Sequence, residues 1–363
     1  MGGLGCIGAI KVMLIVCAIG RNAHSSPPES RYKWTTMDWL EAQNVSHEVH
    51  NVTTADGYQL QVQRLPRLGA KPVLLVHGLL GSSLGWVCMG PERSLAFQLH
   101  HRKYDVWLAN LRGVAPYGRQ HIDLTDVMVE FWRFSFHEHG AYDLPAIIDH
   151  MAKVTGGEQL QRGEGSGADG EEMHHQVVLI GHSQKRQKAN KFEIFPPGYF
   201  RKTCQAKRDL CEYYAKQLAG SAQNNKKLLE AFNYEYLLQG GSPREIKHLQ
   251  QIWKSGDFIS YDFGTAENMQ VYHSVEAISY NISQVTVPII LYFGETDAIA
   301  TPEGVHAIYA RMLKSVKSVQ RINSKKFNHL DFLISGDVKS LVNDKLIEQM
   351  EQFLEGRLPY VIE

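Results

Sequence analysis

The eight residues V-V-L-I-G-H-S-Q, Val177 to Gln184, restrict the possible folds of this chain more than any other stretch. Val177, Val178, Leu179 and Ile180 make a short apolar run with three β-branched members, the pattern of a strand buried on both faces, and Gly181 breaks it. Such a strand needs a covering layer above and below, so it points to a sheet flanked by helices. Ser183 stands two residues past a glycine that permits a sharp turn. That arrangement lifts a hydroxyl clear of a sheet end as a nucleophile. The full pattern has a second glycine two residues after the serine, where this chain has Lys185. A serine near a glycine is more often part of a plain turn, so the other strand ends have to decide.

Those strand ends recur in order. His47 to Thr53 and Tyr58 to Arg64 alternate apolar and polar residues around Asp56-Gly57, predicting a β-hairpin. Val73 to Val76 is a buried-type strand ending in H-G-L-L-G at 77–81. A helical spacing over 92–101 leads to a strand at Asp105 to Leu108. Asp143 to Val154 is an amphipathic helix with Leu144, Ile147, Ile148 and Met151 on one face. Residues 156–175 are Gly-rich and acidic without apolar period, predicting a solvated loop. Beyond Ser183, Lys185 to about Gln284 is polar and helical with breaks at Pro196-Pro197 and Gly240-Gly241, which suits a cap. Val287 to Phe293 resumes a buried strand and ends in Gly294-Glu295-Thr296-Asp297. A helix over Pro302 to Leu313, a last strand at Ser318 to Ile322 and a closing helix over Val338 to Leu354 complete the chain. Alternating strands and helices predict an α/β fold with a mostly parallel sheet and right-handed crossovers.

A serine hydroxyl is a weak nucleophile at neutral pH and needs a base held in one tautomer. Asp297 lies just past one strand end and His329 past the next, giving the order Ser, Asp, His. Backbone N–H groups of Leu79, after the His77-Gly78 strand end, and of Gln184 are placed to bind a developing oxyanion. Simpler roles exist. Asp297 suits the cap of the helix near Pro302, His329 is one of 17 histidines, and His77 suits packing. Three strand ends carrying three complementary groups favour the catalytic constellation.

Several motifs then coincide: H-G-L-L-G at 77, M-G-P-E-R-S-L-A-F at 89, N-L-R-G at 110, F-W-R-F-S-F-H-E at 131, Y-D-L-P-A-I-I-D at 142, G-H-S-Q at 181, G-E-T-D at 294 and N-H-L-D-F at 328. Together, from about Trp34 to Leu354, they resemble the acid lipase family, which includes gastric, lysosomal and secreted insect lipases. The resemblance implies an α/β-hydrolase fold with a helical cap, cleaving carboxylic esters of neutral lipids at an interface without a cofactor or metal. It implies Ser183 as nucleophile, Asp297 as orienting acid, His329 as base, Leu79 and Gln184 as oxyanion donors, and a bridged Cys204–Cys211 pair in the cap. Tyr117, Arg119 and His121 fall at the family's structural positions.

The chain departs from that pattern after Gln184. Ser183 to Asp297 spans 114 positions, on the order of fifty fewer than a hydrolase with a full crossover and cap needs. One core helix, one strand and the start of the cap are missing, and K-R-Q-K stands where the helix would begin. On this pattern the Val287 strand pairs directly with the Val177 strand. The expected units are a signal peptide at 1–20, the N-terminal part of the core at 34–184 with the 156–175 insert, a truncated cap at 185–284, and the C-terminal part of the core at 285–355. The departure also supports a second expectation, a catalytically inactive relative that binds lipid or a partner protein.

Composition narrows the setting. A net charge of +0 provides no field for nucleic acid. Lys11 followed by the apolar run Val12 to Ile19 and then Gly20 reads as a leader cleaved near Gly20, since eight apolar residues fall short of the roughly 20 a spanning helix needs. Sequons at Asn44, Asn51 and Asn281 agree with a secreted or lysosomal protein. With Cys6 and Cys17 in the leader, Cys88, Cys204 and Cys211 remain, enough for one bridge and one free thiol. A Cys204–Cys211 bridge requires a turn, because seven residues along a straight helix span about 10 Å.

Overall fold

In the computed structural model of the chain, the described residues are 34–161, 177–182, 239–297, 299–325 and 327–357, with the backbone of Leu14–Ile15 and Val361–Ile362. The strands in chain order are β1 (Leu14–Ile15), β2 (Glu48–Thr53), β3 (Tyr58–Leu65), β4 (Pro72–Val76), β5 (Asp105–Leu108), β6 (Gln120–His121), β7 (Val178–Gly181), β8 (Ile289–Phe293), β9 (Val316–Arg321) and β10 (Val361–Ile362). The main helices are α1 (Thr36–Ala42), α2 (Leu95–His101), α3 (Leu144–Gln161), α4 (Pro243–Ser255), α5 (Thr265–Tyr272), α6 (Pro302–Arg311) and α7 (Asp344–Leu354).

The strands form one sheet of order β10-β9-β8-β1-β7-β4-β5-β3-β2, with β6 on β3. β2 and β3 make the expected antiparallel hairpin, and β3 runs antiparallel to β5. The pairs from β5 across β4, β7, β1, β8 and β9 to β10 are parallel. Alternate residues face opposite layers, as strand geometry requires. Val73, Leu75, Val178, Ile180, Ile290 and Tyr292 pack with Leu346, Ile347 and Met350 of α7 on one side. Leu74, Val76, Val177 and Leu179 pack with Ile147 and Met151 of α3 on the other. This double cover is the α/β architecture that the apolar runs predict.

Four expectations are corrected. β8 does not pair with β7, because Leu14–Ile15 lies between them, with Leu14 opposite both Leu179 and Ile289 and Ile15 opposite both Ile180 and Ile290. The physical reason is that a buried strand edge has to satisfy its N–H and C=O groups. The backbone of α3 continues to Gln161, past Gly156-Gly157 and into the stretch read as loop, where Glu158, Gln159, Leu160 and Gln161 are good helix formers. β9 is not the last strand, since Val361–Ile362 adds to it as β10. Gly181 does not break β7 but ends it, pairing with Val76, and the His182 N–H continues the ladder to the Val76 carbonyl at 3.1 Å.

Candidate active site

The carboxyl ends of β4, β7, β1, β8 and β9 lie in one row, where parallel α/β sheets place their sites. Past β8, Gly294 has no room for a side chain, since a Cβ there would stand 2.4 Å from the Phe327 carbonyl oxygen. The Thr296 hydroxyl donates to that same oxygen at 3.0 Å, and the Ile322 N–H donates to the Phe293 carbonyl at 2.9 Å. The turn carrying Asp297 is thereby held against the loop carrying His329. The loop is closed on its far side by Asn328 and Asp331, the Asn328 N–H donating to the Asp331 carboxylate at 3.0 Å.

Asp297 and His329, 32 positions apart, meet at 2.8 Å between Oδ2 and Nδ1. Both are buried, Asp297 at 2% and His329 at 5% exposure. The other Asp297 oxygen accepts the N–H groups of Ile299 at 2.8 Å and Ala300 at 2.9 Å. Burial works to raise this carboxyl, but the His329 hydrogen bond and charge, with the two backbone donors, hold it below the ordinary carboxylate range. An ionised Asp297 accepts only, so His329 carries its proton on Nδ1 and leaves Nε2 as the basic atom. Asp297 does not cap α6. That position belongs to Thr301, whose hydroxyl accepts from the Gly304 N–H at 3.2 Å.

His182 is a member of this cluster that the sequence did not single out. Its Nε2 lies 3.2 Å from the His329 carbonyl oxygen, so it donates there, and the two rings are 4.7 Å apart. Burial, with the neighbouring His329 ring, pushes its pKa down to about 3, so it stays neutral. Its only sequence signal is its place beside Ser183. Ser183, Gln184, Cys204 and Cys211 lie outside the described residues.

At the end of β4, His77 has the packing role expected of it. Its Nδ1 donates to the Gly78 carbonyl at 2.8 Å and its Nε2 accepts the Leu111 N–H at 3.1 Å, with burial lowering the pKa to about 4. It thus ties the start of the Gly78–Gly81 loop to the strand end of β5. In that loop Leu80 has φ 62°, and its carbonyl accepts the Gln239 N–H at 2.7 Å. No hydrogen bond joins the Leu79 N–H to another described residue.

The side of the loop that faces Gly241 is equally tight. A Cβ on Gly241 would stand 3.1 Å from Leu80 and 3.0 Å from the Glu245 carboxylate. Ser242 and Glu245 form a capping box at the start of α4, the Ser242 N–H donating to Glu245 Oε2 at 2.7 Å. The other Glu245 oxygen is 3.7 Å from Nε2 of His139, a buried ring in the π-helical turn His139–Asp143. Burial raises the Glu245 carboxyl to about 8 and depresses His139 well below its ordinary value. Behind them Arg112, buried, bridges Asp143 at 2.7 Å and Asp56 at 2.6 Å. Arg119 and His121 make structural contacts, Arg119 lying 5.1 Å from the Trp132 ring centroid and His121 donating from Nε2 to the Asp56 carbonyl at 2.9 Å. Among the described residues no three His, Cys, Asp or Glu side chains are grouped to hold a metal, and no helix is long and apolar enough to cross a membrane.

Residues 36–90 match the family region described as "Partial alpha/beta-hydrolase lipase region". Lipase 1 of Drosophila melanogaster is 34% identical over 344 residues, covering 85% of this chain and 78% of that protein. Gastric triacylglycerol lipase of Bos taurus is 28% identical, covering 93% of this chain and 95% of that protein. That alignment runs over 385 residues against a chain of 363, so the bovine protein has positions with no counterpart here. An esterase from Exiguobacterium antarcticum has a TM-score of 0.49 at 12% identity, covering 84% of this chain and 100% of that one.

The relatives in sequence are lipases, which places the chain in the lipase class of hydrolases. Within it, the chain belongs to the acid lipase family of the α/β hydrolases.

Proposed function

We propose that this chain hydrolyses neutral lipid esters at an interface through a Ser183–His329–Asp297 acyl-enzyme mechanism. The observation that carries it is the buried 2.8 Å contact between Asp297 and His329, with His182, the neighbour of Ser183, hydrogen-bonded to the His329 carbonyl. In this mechanism His329 Nε2 takes the proton of the Ser183 hydroxyl as its oxygen attacks the ester carbonyl. The Leu79 and Gln184 N–H groups stabilise the oxyanion. The alcohol leaves with the proton from His329, and a water activated by the same ring releases the fatty acid. Asp297 stays ionised and fixes the ring.

Labelling of the full chain with a fluorophosphonate probe tests this proposal. Labelling is expected on Ser183 and is expected to vanish in Ser183→Ala, and absence of Ser183-dependent labelling would refute it. Lys185, standing where the pattern has glycine, favours a second reading, an inactive relative that binds lipid without turning it over. Release of fatty acid from a triglyceride emulsion by the unaltered chain, lost in Ser183→Ala, excludes that reading. The leader-like residues 1–20 and the exposed sequon residues Asn44, Asn51 and Asn281 support passage through the secretory pathway to a secreted or lysosomal location.

A further inference from the structure

We propose that the sheet contains a one-strand acceptor slot between β7 and β8, and that its occupant is the chain's own apolar N-terminal segment, through Leu14 and Ile15. β7 and β8 each pair with β1 and not with each other. Neighbouring strands are about 4.8 Å apart, so β7 and β8 stand roughly 10 Å from one another, too far to bond and wide enough for one strand. The slot falls where the sequence lacks a strand between Ser183 and Val287. Its walls are Leu179, Ile180, Ile289 and Ile290, all buried.

The walls belong to interior strands, held on their outer edges by β4 and β9. An empty slot would leave two facing rows of backbone N–H and C=O groups, the situation that strand addition relieves. A strand covered on both faces of a sheet has to be apolar, and Leu14 and Ile15 meet that requirement. Leu14 and Ile15, inside the stretch that reads as an export leader, therefore also supply the missing strand. The two roles exclude each other in a single molecule, because cleavage near Gly20 removes the strand and opens the slot.

Photo-leucine at position 14 of the full chain, activated and mapped by mass spectrometry, tests the placement. Crosslinks to residues 178–181 or 289–293 of the same molecule are expected. Crosslinks only to other segments, or only to a second copy, would overturn it. Hydrogen exchange gives an independent readout on segments 177–182 and 289–293. In the full chain these are expected to exchange at least 100-fold more slowly than in full-length Ile15→Pro, which cannot donate to the ladder, while the 105–108 segment is unchanged. Equal exchange in the two proteins would overturn the proposal.

Discussion

Asp297 and Gly294 each concentrate a large effect in a few atoms. Asp297→Asn keeps the shape but offers an amide in place of an acceptor-only carboxylate, so His329 is no longer held with its proton on Nδ1. A fall in ester turnover of about 10³- to 10⁴-fold is expected, measured on a chromogenic ester. Gly294→Ala drives a Cβ to 2.4 Å from backbone oxygen, which has no flexible end to yield. A loss of about 1–3 kcal/mol by denaturant titration is expected, together with lost activity as the two loops separate. Glu245 gives a pH signature. Its folded pKa is raised from 4.5 to about 8, so the folded state keeps a proton that the unfolded chain releases. This contribution to stability is therefore full below 4.5 and is lost as pH rises toward 8. Glu245→Gln is expected to flatten that part of the stability curve in thermal melts across pH 5 to 9. Asp297 has the opposite sign, with its contribution lost as acid protonates it below the ordinary carboxylate range.

At the level of elements, α4 depends on its first turn. The Ser242 hydroxyl accepts the Arg244 N–H at 3.0 Å and donates to the Trp132 carbonyl, joining α4 to the segment before α3. Ser242→Ala is expected to cost about 1–2 kcal/mol, seen as a lower denaturant midpoint at unchanged slope. Elements of this kind differ in how legible they are. β4, β7 and β8 are plain in the sequence, because strands covered on both faces are short unbroken apolar runs ended by glycine or histidine. Asp297 and His329 are legible through their positions beyond such runs. His182, His139 and Glu245 are not, since each matters through a partner brought near by folding: His329 for the first, and each other for the pair. β1 was hidden for another reason. An export leader and a doubly buried strand have the same composition, and nothing local in V-M-L-I-V-C-A-I separates them.

For the whole molecule, the exposed side chains of Asn44, Asn51 and Asn281 lie on three surface segments: the turn after α1, the outer strand β2, and the short helical turn before β8. Expression in a secretory cell is expected to yield protein whose mass falls on treatment with a peptide N-glycanase, and replacing all three asparagines by glutamine is expected to abolish that shift. An unshifted native chain would place it outside that pathway. The position of β1 also sets an order of events during synthesis. Leu14 pairs with Leu179 and Ile289, so its place exists only once two strands far along the chain have come together. Closing so long a loop is slow, and for that interval the segment is without its partners in the sheet. A strand at the centre of the sheet is thus seated late, after both of the strands that flank it.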